Sequence, residues 1–399
     1  MRSHRLPHRL PHRLLALALS PLTLLATSCG HAATGDSGSA PAAVSQGEAP
    51  FIVSEESHFD EPWALAVEPG TGRIFVTEKR GTIRYYQPAS AVEGSVTGVP
   101  KVDYGGQGGL GDIAFAPDYA TSHMVYLTWA EAGQGDTRGA AAGRGRLECG
   151  EDDGADCALV DFAVIWRQSP KVTGRGHFSH RLAFSPDGKY LFIASGERQK
   201  GAPAQDPQVN LGKIVRLNLD GTPAPGNALA DEHVALPEIY SMGHRNILGL
   251  AFDPQGRLWD LEHGPKGGDE LNLVENGRNY GWPIVSNGDN YDGTPIPRHE
   301  TRPEFAAPAI SWNPVIAPGD MIFYSGGDFP EWDGQVLIAG LASQAIVRVA
   351  IEGDEAREVA RYAMGTRIRD IVQGIDGSLW VVEDGKRGRL LLLSPRPVE

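Results

Sequence analysis

Short apolar runs recur along the chain from residue 51 onward. Each run is followed by a turn rich in proline, aspartate or glycine, and then by a second apolar run. The runs are rich in β-branched and aromatic residues and show no sustained 3.6-residue period, so each pair predicts an antiparallel hairpin. The copies are WALAVEPGTGRIFVTE, GDIAFAPDYATSHMVYLTW, RLAFSPDGKYLFIASGE, LGLAFDPQGRLWDLEHG, MIFYSGGDFPEWDGQVLIAG and IRDIVQGIDGSLWVVED.

Repetition of one hairpin six times along the chain predicts an all-β fold, namely a six-bladed β-propeller. The spacing is uneven, with long inserts before the third, fourth and fifth copies. Inserts of this kind form loops on one face of a propeller, where binding groups collect. A double-sheet sandwich is the alternative, but it needs fewer strands than this chain offers. The high content of glycine (50) and proline (29) suits many short strands joined by turns.

The first 29 residues have the composition of an export signal. A basic segment, MRSHRLPHRLPHR, precedes the apolar run LLALALSPLTLLA, which is too short for a comfortable membrane span. The following ATSC resembles a bacterial lipobox, in which Cys29 becomes lipidated, and plain secretion is the alternative. Residues 30–50 are small and polar and predict a flexible linker. We therefore expect an exported protein of the periplasm or cell envelope, with residues 51–399 forming the propeller.

The net charge limits the partners. It is −14 for the whole chain, and residues 1–29 carry four arginines and no acids, so their removal gives −18. A surface this acidic argues against nucleic acid or an anionic membrane as a partner. A lipid on Cys29 is the one membrane attachment we expect.

Two further cysteines, Cys149 and Cys157, flank a Gly-rich acidic turn in LECGEDDGADCAL. Export permits a disulfide between them, which would close a hairpin and serve a structural role. A metal site is the alternative, but two thiols with no histidine nearby in sequence are too few for zinc.

Four stretches resemble the soluble sugar dehydrogenases that use pyrroloquinoline quinone (PQQ), above all the bacterial aldose sugar dehydrogenases. They are GQGGLGDIAFAPDY, GHFSHRLAFSPDGKYLFIASGE, YSMGHRNILGLAFDPQGRLWDLEHGPKGGDELNLVENGRNYGWP and GTRIRDIVQGIDGSLWVVED. The resemblance covers residues 51–396, and the family is a six-bladed propeller. It implies oxidation of aldose sugars at the anomeric carbon to lactones, with hydride transfer to PQQ in the presence of Ca²⁺.

The resemblance also implies the catalytic groups. This oxidation needs a base near neutral pKa, and the family's base matches His177. Glu197 matches an acidic residue that fixes the tautomer of such a base. Gln107 matches a glutamine at the edge of substrate and quinone. Alternatively, His177 is an ordinary buried polar residue, Glu197 a solvated strand end, and GQGG only a turn. We interpret His180 as a local side chain and not as a second base.

The cofactor contacts implied by the resemblance are mostly cationic, because PQQ carries three carboxylates. Arg245 and Asn246 match cofactor-contacting positions. Arg367 and Arg369 match arginines that pair with the carboxylates, and alternation along a strand turns both toward the same face. Taken singly, each arginine could equally be a surface residue.

Relatives carry a cofactor-contacting lysine at about the position of Ala342, where this chain has none. Lys266 is the candidate for a compensating charge.

Calcium is the second implied ligand. The carbonyl oxygens of Gly264 and Pro265 match the family's ligands to the ion, which accepts hard oxygen donors. Asp269 and Glu270 lie nearby, either as supporting acids or as residues that cap the loop.

Two other functions remain open from the sequence. One is a calcium-dependent lactone hydrolase, which would need side-chain carboxylates and an asparagine around a central metal. The other is a propeller without cofactor that serves as a binding module. The sugar, the electron acceptor and the oligomeric state are not determined by the sequence.

Overall fold

The computed structural model describes residues 49–397 except residues 151 and 153. The predicted export signal, the lipidation of Cys29 and nearly all of the predicted linker lie outside the described residues. They stay predictions.

The described chain is built almost entirely of strands. The strands are β1 (Phe51–Phe59), β2 (Pro62–Val67), β3 (Ile74–Glu78), β4 (Thr82–Gln87), β5 (Val92–Thr97), β6 (Leu110–Phe115), β7 (Met124–Ala132), β8 (Arg138–Cys149), β9 (Cys157–Arg167), β10 (Ser179–Phe184), β11 (Tyr190–Ser195), β12 (Lys213–Asn218), β13 (Ile239–Met242), β14 (Ile247–Phe252), β15 (Leu258–Glu262), β16 (Asp269–Val274), β17 (Ile310–Trp312), β18 (Pro318–Phe323), β19 (Val336–Gly340), β20 (Ala345–Glu352), β21 (Glu355–Ala363), β22 (Ile368–Gln373), β23 (Leu379–Glu383) and β24 (Gly388–Pro395).

Among the described residues, helical structure is limited to short turns. The α-helices are α1 (Tyr119–Ser122) and α2 (Ala228–Asp231), and the 3₁₀ turns are Ala202–Gln205, His299–Thr301 and Pro330–Trp332. Within the described part of the chain, no helix has the length and apolar character needed to cross a bilayer. The prediction of an all-β protein is confirmed.

Each of the six hairpins expected from the turn pattern is present as an antiparallel pair. The pairs are β2–β3, β6–β7, β10–β11, β14–β15, β18–β19 and β22–β23. Local information suffices here, because the turn residues fix the reversal and the apolar runs fix the paired segments.

The strands form four sheets of four strands and one sheet of eight. In the eight-stranded sheet, β2–β5 and β6–β9 are joined where Val96 and Thr97 of β5 pair in parallel with Cys157 and Ala158 of β9. In another sheet, the first strand, β1, pairs with β24 next to β23 and β22. The five sheets exclude the two-sheet sandwich.

The first strands of the hairpins lie next to one another. β2, β6, β10, β14, β18 and β22 each contact the next in that order, and β22 contacts β2. The neighbouring strands β3, β15, β19 and β23 are buried at every position. Both faces of these strands are covered, so apolar residues predominate in them, and even the polar residues Asp260 and Glu262 of β15 are buried.

Cys149 and Cys157 form a disulfide at the paired ends of β8 and β9. The metal alternative for these cysteines is therefore wrong.

Candidate active site

Four of the predicted site residues line one cavity of about 310 Å³. Gln107, Asn246, Arg367 and Arg369 line it. Each lies just before, or at the start of, one of the contacting strands β6, β14 and β22. Because these strands lie side by side, residues at their amino-terminal ends meet although they are far apart in sequence.

His177, which precedes β10, does not itself line this cavity. It lies next to the wall, because its backbone N–H donates to Gln107 Oε1 and the next residue, Phe178, lines the cavity. Its ring is bonded to Glu197. His177 Nδ1 lies 2.5 Å from Glu197 Oε1, and both side chains are buried. Glu197 also accepts hydrogen bonds at Oε2 from the backbone N–H groups of Lys200 and Gly201. These bonds hold the Glu197 carboxylate in place, and the carboxylate in turn orients the His177 ring. With Nδ1–H donating to Glu197, His177 Nε2 is the nitrogen left to accept a proton.

The pKa values of this pair suit a base. Burial lowers the pKa of His177 below its ordinary value, the positive charge of Arg245 lowers it further, and Glu197 opposes both effects. Burial works against the charge of Glu197, but the bonds from His177 and from two backbone N–H groups outweigh it, so its pKa is also lowered. The carboxylate is ionised and the imidazole neutral near pH 7.

The segment that carries His177 has an unusual backbone. The φ angles of His177, Ser179 and His180 are 49°, 65° and 82°, in the left-handed region that favours glycine. Bonds from outside hold this conformation: the backbone N–H of His177 donates to Gln107 Oε1 (2.6 Å) and that of Ser179 donates to Asn246 Oδ1 (3.2 Å). Strain of this kind persists only where its surroundings over-determine it, and it concentrates at functional sites.

Arg367 and Arg369 share one carboxylate. Arg367 Nε lies 2.8 Å from Asp384 Oδ2, and Arg369 Nη2 lies 2.6 Å from Asp384 Oδ1. Burial opposes the charge of Asp384, but the two arginines outweigh burial and lower its pKa. Asp384 lines the same cavity, so its ion pairs orient both arginines at the cavity wall. The sequence motifs do not mark Asp384.

Arg245 lies beside a second, smaller cavity that Gly264 also lines. Its guanidinium donates from Nη1 to the carbonyl of His263 (3.0 Å) and lies 5.1 Å from the ring centre of Trp282. His263 lines both cavities, which places the Gly264–Pro265 loop next to the main one.

Asp269 holds that loop in place. Its carboxylate accepts from the backbone N–H of Gly264 (2.9 Å) and of Ala317 (2.6 Å). Burial raises the pKa of Asp269 to about 6. Of the two roles open for Asp269, the structure supports loop capping.

The structure does not place Lys266 at either cavity. Lys266 is exposed, and its backbone pairs with that of Asp289. Lys79, at the end of β3, lines the main cavity instead, and its Nζ donates to the carbonyl of Gly106 (3.0 Å). No local motif marks Lys79; only the contact of β2 with its neighbours brings it there.

His180 also lines the main cavity, so it is more than the local side chain expected from the sequence. It is buried, and burial together with Arg198 and Arg181 lowers its pKa to about 3. A ring with so low a pKa stays neutral and is a poor base near pH 7.

Comparison with known proteins gives one family. The sequence model described as glucose / sorbosone dehydrogenase matches residues 59–392. The aldose sugar dehydrogenase YliI of Escherichia coli K12 is 39% identical over 359 residues, which are 87% of this chain and 94% of YliI.

Solved structures that resemble this chain belong to dehydrogenases of the same kind. A crystal structure of a glucose dehydrogenase is 40% identical, with a TM-score of 0.81 over 86% of this chain and 100% of that one. The PQQ-bound form of an aldose sugar dehydrogenase from Streptomyces coelicolor is 28% identical, with a TM-score of 0.69 over 89% of this chain and 100% of that one.

Proposed function

Because the chain belongs to the glucose / sorbosone dehydrogenase family, we propose that it is an exported oxidoreductase that uses PQQ and Ca²⁺ to oxidise aldose sugars at the anomeric carbon to lactones. The observation that carries the proposal is the His177–Glu197 pair beside a cavity lined by Arg367 and Arg369.

The fold that goes with this function is a six-bladed propeller. The eight-stranded sheet divides at its single parallel junction into two sets of four strands, which together with the other four sheets makes six. The closed order of contacts among the first strands of the hairpins supports the same count.

The donors around the cavity fit an anionic, planar cofactor. Three cations, Lys79, Arg367 and Arg369, face two carboxylates, Glu61 and Asp384, which leaves one positive charge in excess. The side-chain amides of Gln107 and Asn246 add neutral polar groups, and arginine binds carboxylates with two parallel hydrogen bonds. PQQ, when bound, would supply the acceptor for the electron pair that leaves the sugar.

The loop at Gly264 and Pro265 fits a calcium ion. No described residue donates a hydrogen bond to either carbonyl oxygen, so both are available as hard ligands. A calcium ion held there would polarise a carbonyl of the cofactor.

Within this site, His177 removes the proton. Its Nε2 accepts the proton of the sugar hydroxyl while Nδ1 keeps its bond to Glu197, which stabilises the imidazolium that forms. Gln107 holds the backbone of His177 through Oε1, which leaves its amide N–H groups to orient the substrate.

Dye-coupled oxidation of a panel of aldoses tests the proposal. We expect the apoprotein to be inactive and to gain activity when both PQQ and Ca²⁺ are added. His177→Ala should lower kcat by about 10²–10⁴-fold, because a positioned base contributes that much. His58→Ala is the matched control, since His58 lies on β1 with a half-buried side chain that does not line the main cavity, and it should keep full activity.

Other outcomes identify the rival functions. A protein that is folded but binds no PQQ would contradict the proposal and favour a binding module. Lactone hydrolysis with Ca²⁺ alone would favour the hydrolase. Against the hydrolase, the buried carboxylates Asp112, Asp320 and Asp370 surround the cation of Arg181 rather than an open metal position.

Export and partners complete the proposal. The Cys149–Cys157 disulfide suits an oxidising compartment such as the periplasm or the cell envelope. The electrons would pass to an acceptor outside the chain, and Cys29 would provide the lipid anchor if it is modified.

A further inference from the structure

His180 has two unfavourable features that no contact within the protein explains. Its backbone φ is 82°, and neither of its ring nitrogens has a hydrogen-bond partner among the described residues, although both are buried. Buried polar atoms without partners and left-handed backbone at a non-glycine residue are both destabilising.

Packing alone does not account for a histidine here. The ring stacks on Phe178 with centroids 5.4 Å apart and planes at 4°, and it meets Trp63 edge-on at 5.7 Å. A phenylalanine would make both contacts without burying two unpaired nitrogens. The nitrogens therefore point to a partner other than the protein.

The position of the ring identifies where such a partner lies. His180 lines the main cavity together with Asn246, Lys79 and Arg369. The ring is 2% exposed, so a partner for its nitrogens must lie in this cavity and not in bulk solvent.

We propose that His180 binds the quinone cofactor, with a neutral imidazole that donates a hydrogen bond from one ring nitrogen to an oxygen of PQQ. The inference rests on the proposed function and adds a contact to it. Burial and the charges of Arg181 and Arg198 keep the ring neutral, so one nitrogen is a donor and the other an acceptor.

The test is a titration of apoprotein with PQQ at saturating Ca²⁺, followed by absorbance. His180→Phe keeps the ring contacts and removes both nitrogens. We expect its dissociation constant for PQQ to rise about tenfold, as for the loss of one hydrogen bond. The melting temperature of its apoprotein should stay equal or rise, because no unpaired nitrogen remains buried. His58→Phe is the control and should bind PQQ like the wild type.

A second variant guards against a folding defect. His180→Gly relieves the backbone φ and also lacks the nitrogens, so it should weaken PQQ binding in the same direction. Equal PQQ affinity in the wild type and both variants would overturn the inference, and so would a change confined to KM for the sugar. If the wild type itself binds no PQQ, the proposed function fails and this contact fails with it.

Discussion

His177 and His180 lie three residues apart, and the structure gives their rings different partners. Nδ1 of His177 is bonded to a carboxylate, whereas neither nitrogen of His180 has a hydrogen-bond partner among the described residues. A carboxylate that fixes one nitrogen leaves the other as a defined acceptor, which is what a base requires. The chemistry of each histidine therefore follows from its neighbours and not from its place in the motif.

Glu197→Gln tests how the carboxylate acts on His177. The carboxylate raises the pKa of His177 against the effect of burial, so its loss should lower that pKa further below 6.5. In the apoprotein we expect the NMR titration midpoint of His177 to lie below 6.5 and to move to lower pH in the variant. The base is active in its neutral form, so acid lowers activity only below this midpoint. In Glu197→Gln, kcat should still fall by about 10²-fold, because the amide does not stabilise the imidazolium.

Glu331→Gln, at an exposed position, is the control and should change neither quantity. An unshifted His177 midpoint in Glu197→Gln would contradict the coupling.

At the scale of elements, each hairpin is formed by contiguous residues, whereas the pairing between different hairpins depends on residues far apart in the sequence. The six expected hairpins formed because each turn and its flanking runs are contiguous in sequence. The parallel pairing of β5 with β9 has no sequence signature, since the two strands are separated along the chain by β6, β7 and β8. The Cys149–Cys157 disulfide lies at this junction, because Cys157 itself pairs with Val96.

Replacing both cysteines tests the structural role of the disulfide. The double variant Cys149→Ser, Cys157→Ser should lose about 2 kcal/mol of the free energy of unfolding, as expected for a short closed loop. Urea unfolding measures the loss, and dehydrogenase activity should be retained because neither residue lines the main cavity. Reductant should destabilise the wild type and leave the variant unchanged; equal stability of the two proteins would contradict the prediction.

At the scale of the whole molecule, Arg181 connects strands from every hairpin. From β10, its guanidinium reaches Asp112 on β6, the carbonyl of Leu248 on β14 (2.7 Å), and Asp370 on β22 (2.8 Å). It also contacts Asp320 on β18 and lies 4.4 Å from the ring centre of Trp63 on β2. Burial raises the pKa of the three carboxylates, to about 7 for Asp370, and the charge of Arg181 opposes that rise.

Arg181→Met should therefore destabilise the whole fold. Removal of one partner from a buried ionic cluster leaves uncompensated charge and costs about 3–5 kcal/mol, which urea unfolding would measure. Arg181→Lys keeps the charge but not the fork of donors, so we expect an intermediate loss. Arg146→Met removes an exposed ion pair with Asp161 and should cost less than about 1 kcal/mol. A loss no larger than that of Arg146→Met would contradict this role for Arg181.

The sequence by itself determined the strand-rich class, the six hairpins, the residues of the motifs and the family. It could do so because turn residues, the alternation of apolar and polar positions, and motif spacing all depend on residues that are close together in the sequence. Only the tertiary structure decided that Lys79, and not Lys266, lines the cavity and that Asp384 orients Arg367 and Arg369. It also decided that the ring nitrogens of His180 are buried with no partner in the part of the chain that the structure describes. These facts depend on which strand ends come together, and side-chain contacts across separate strands leave no pattern in the local sequence.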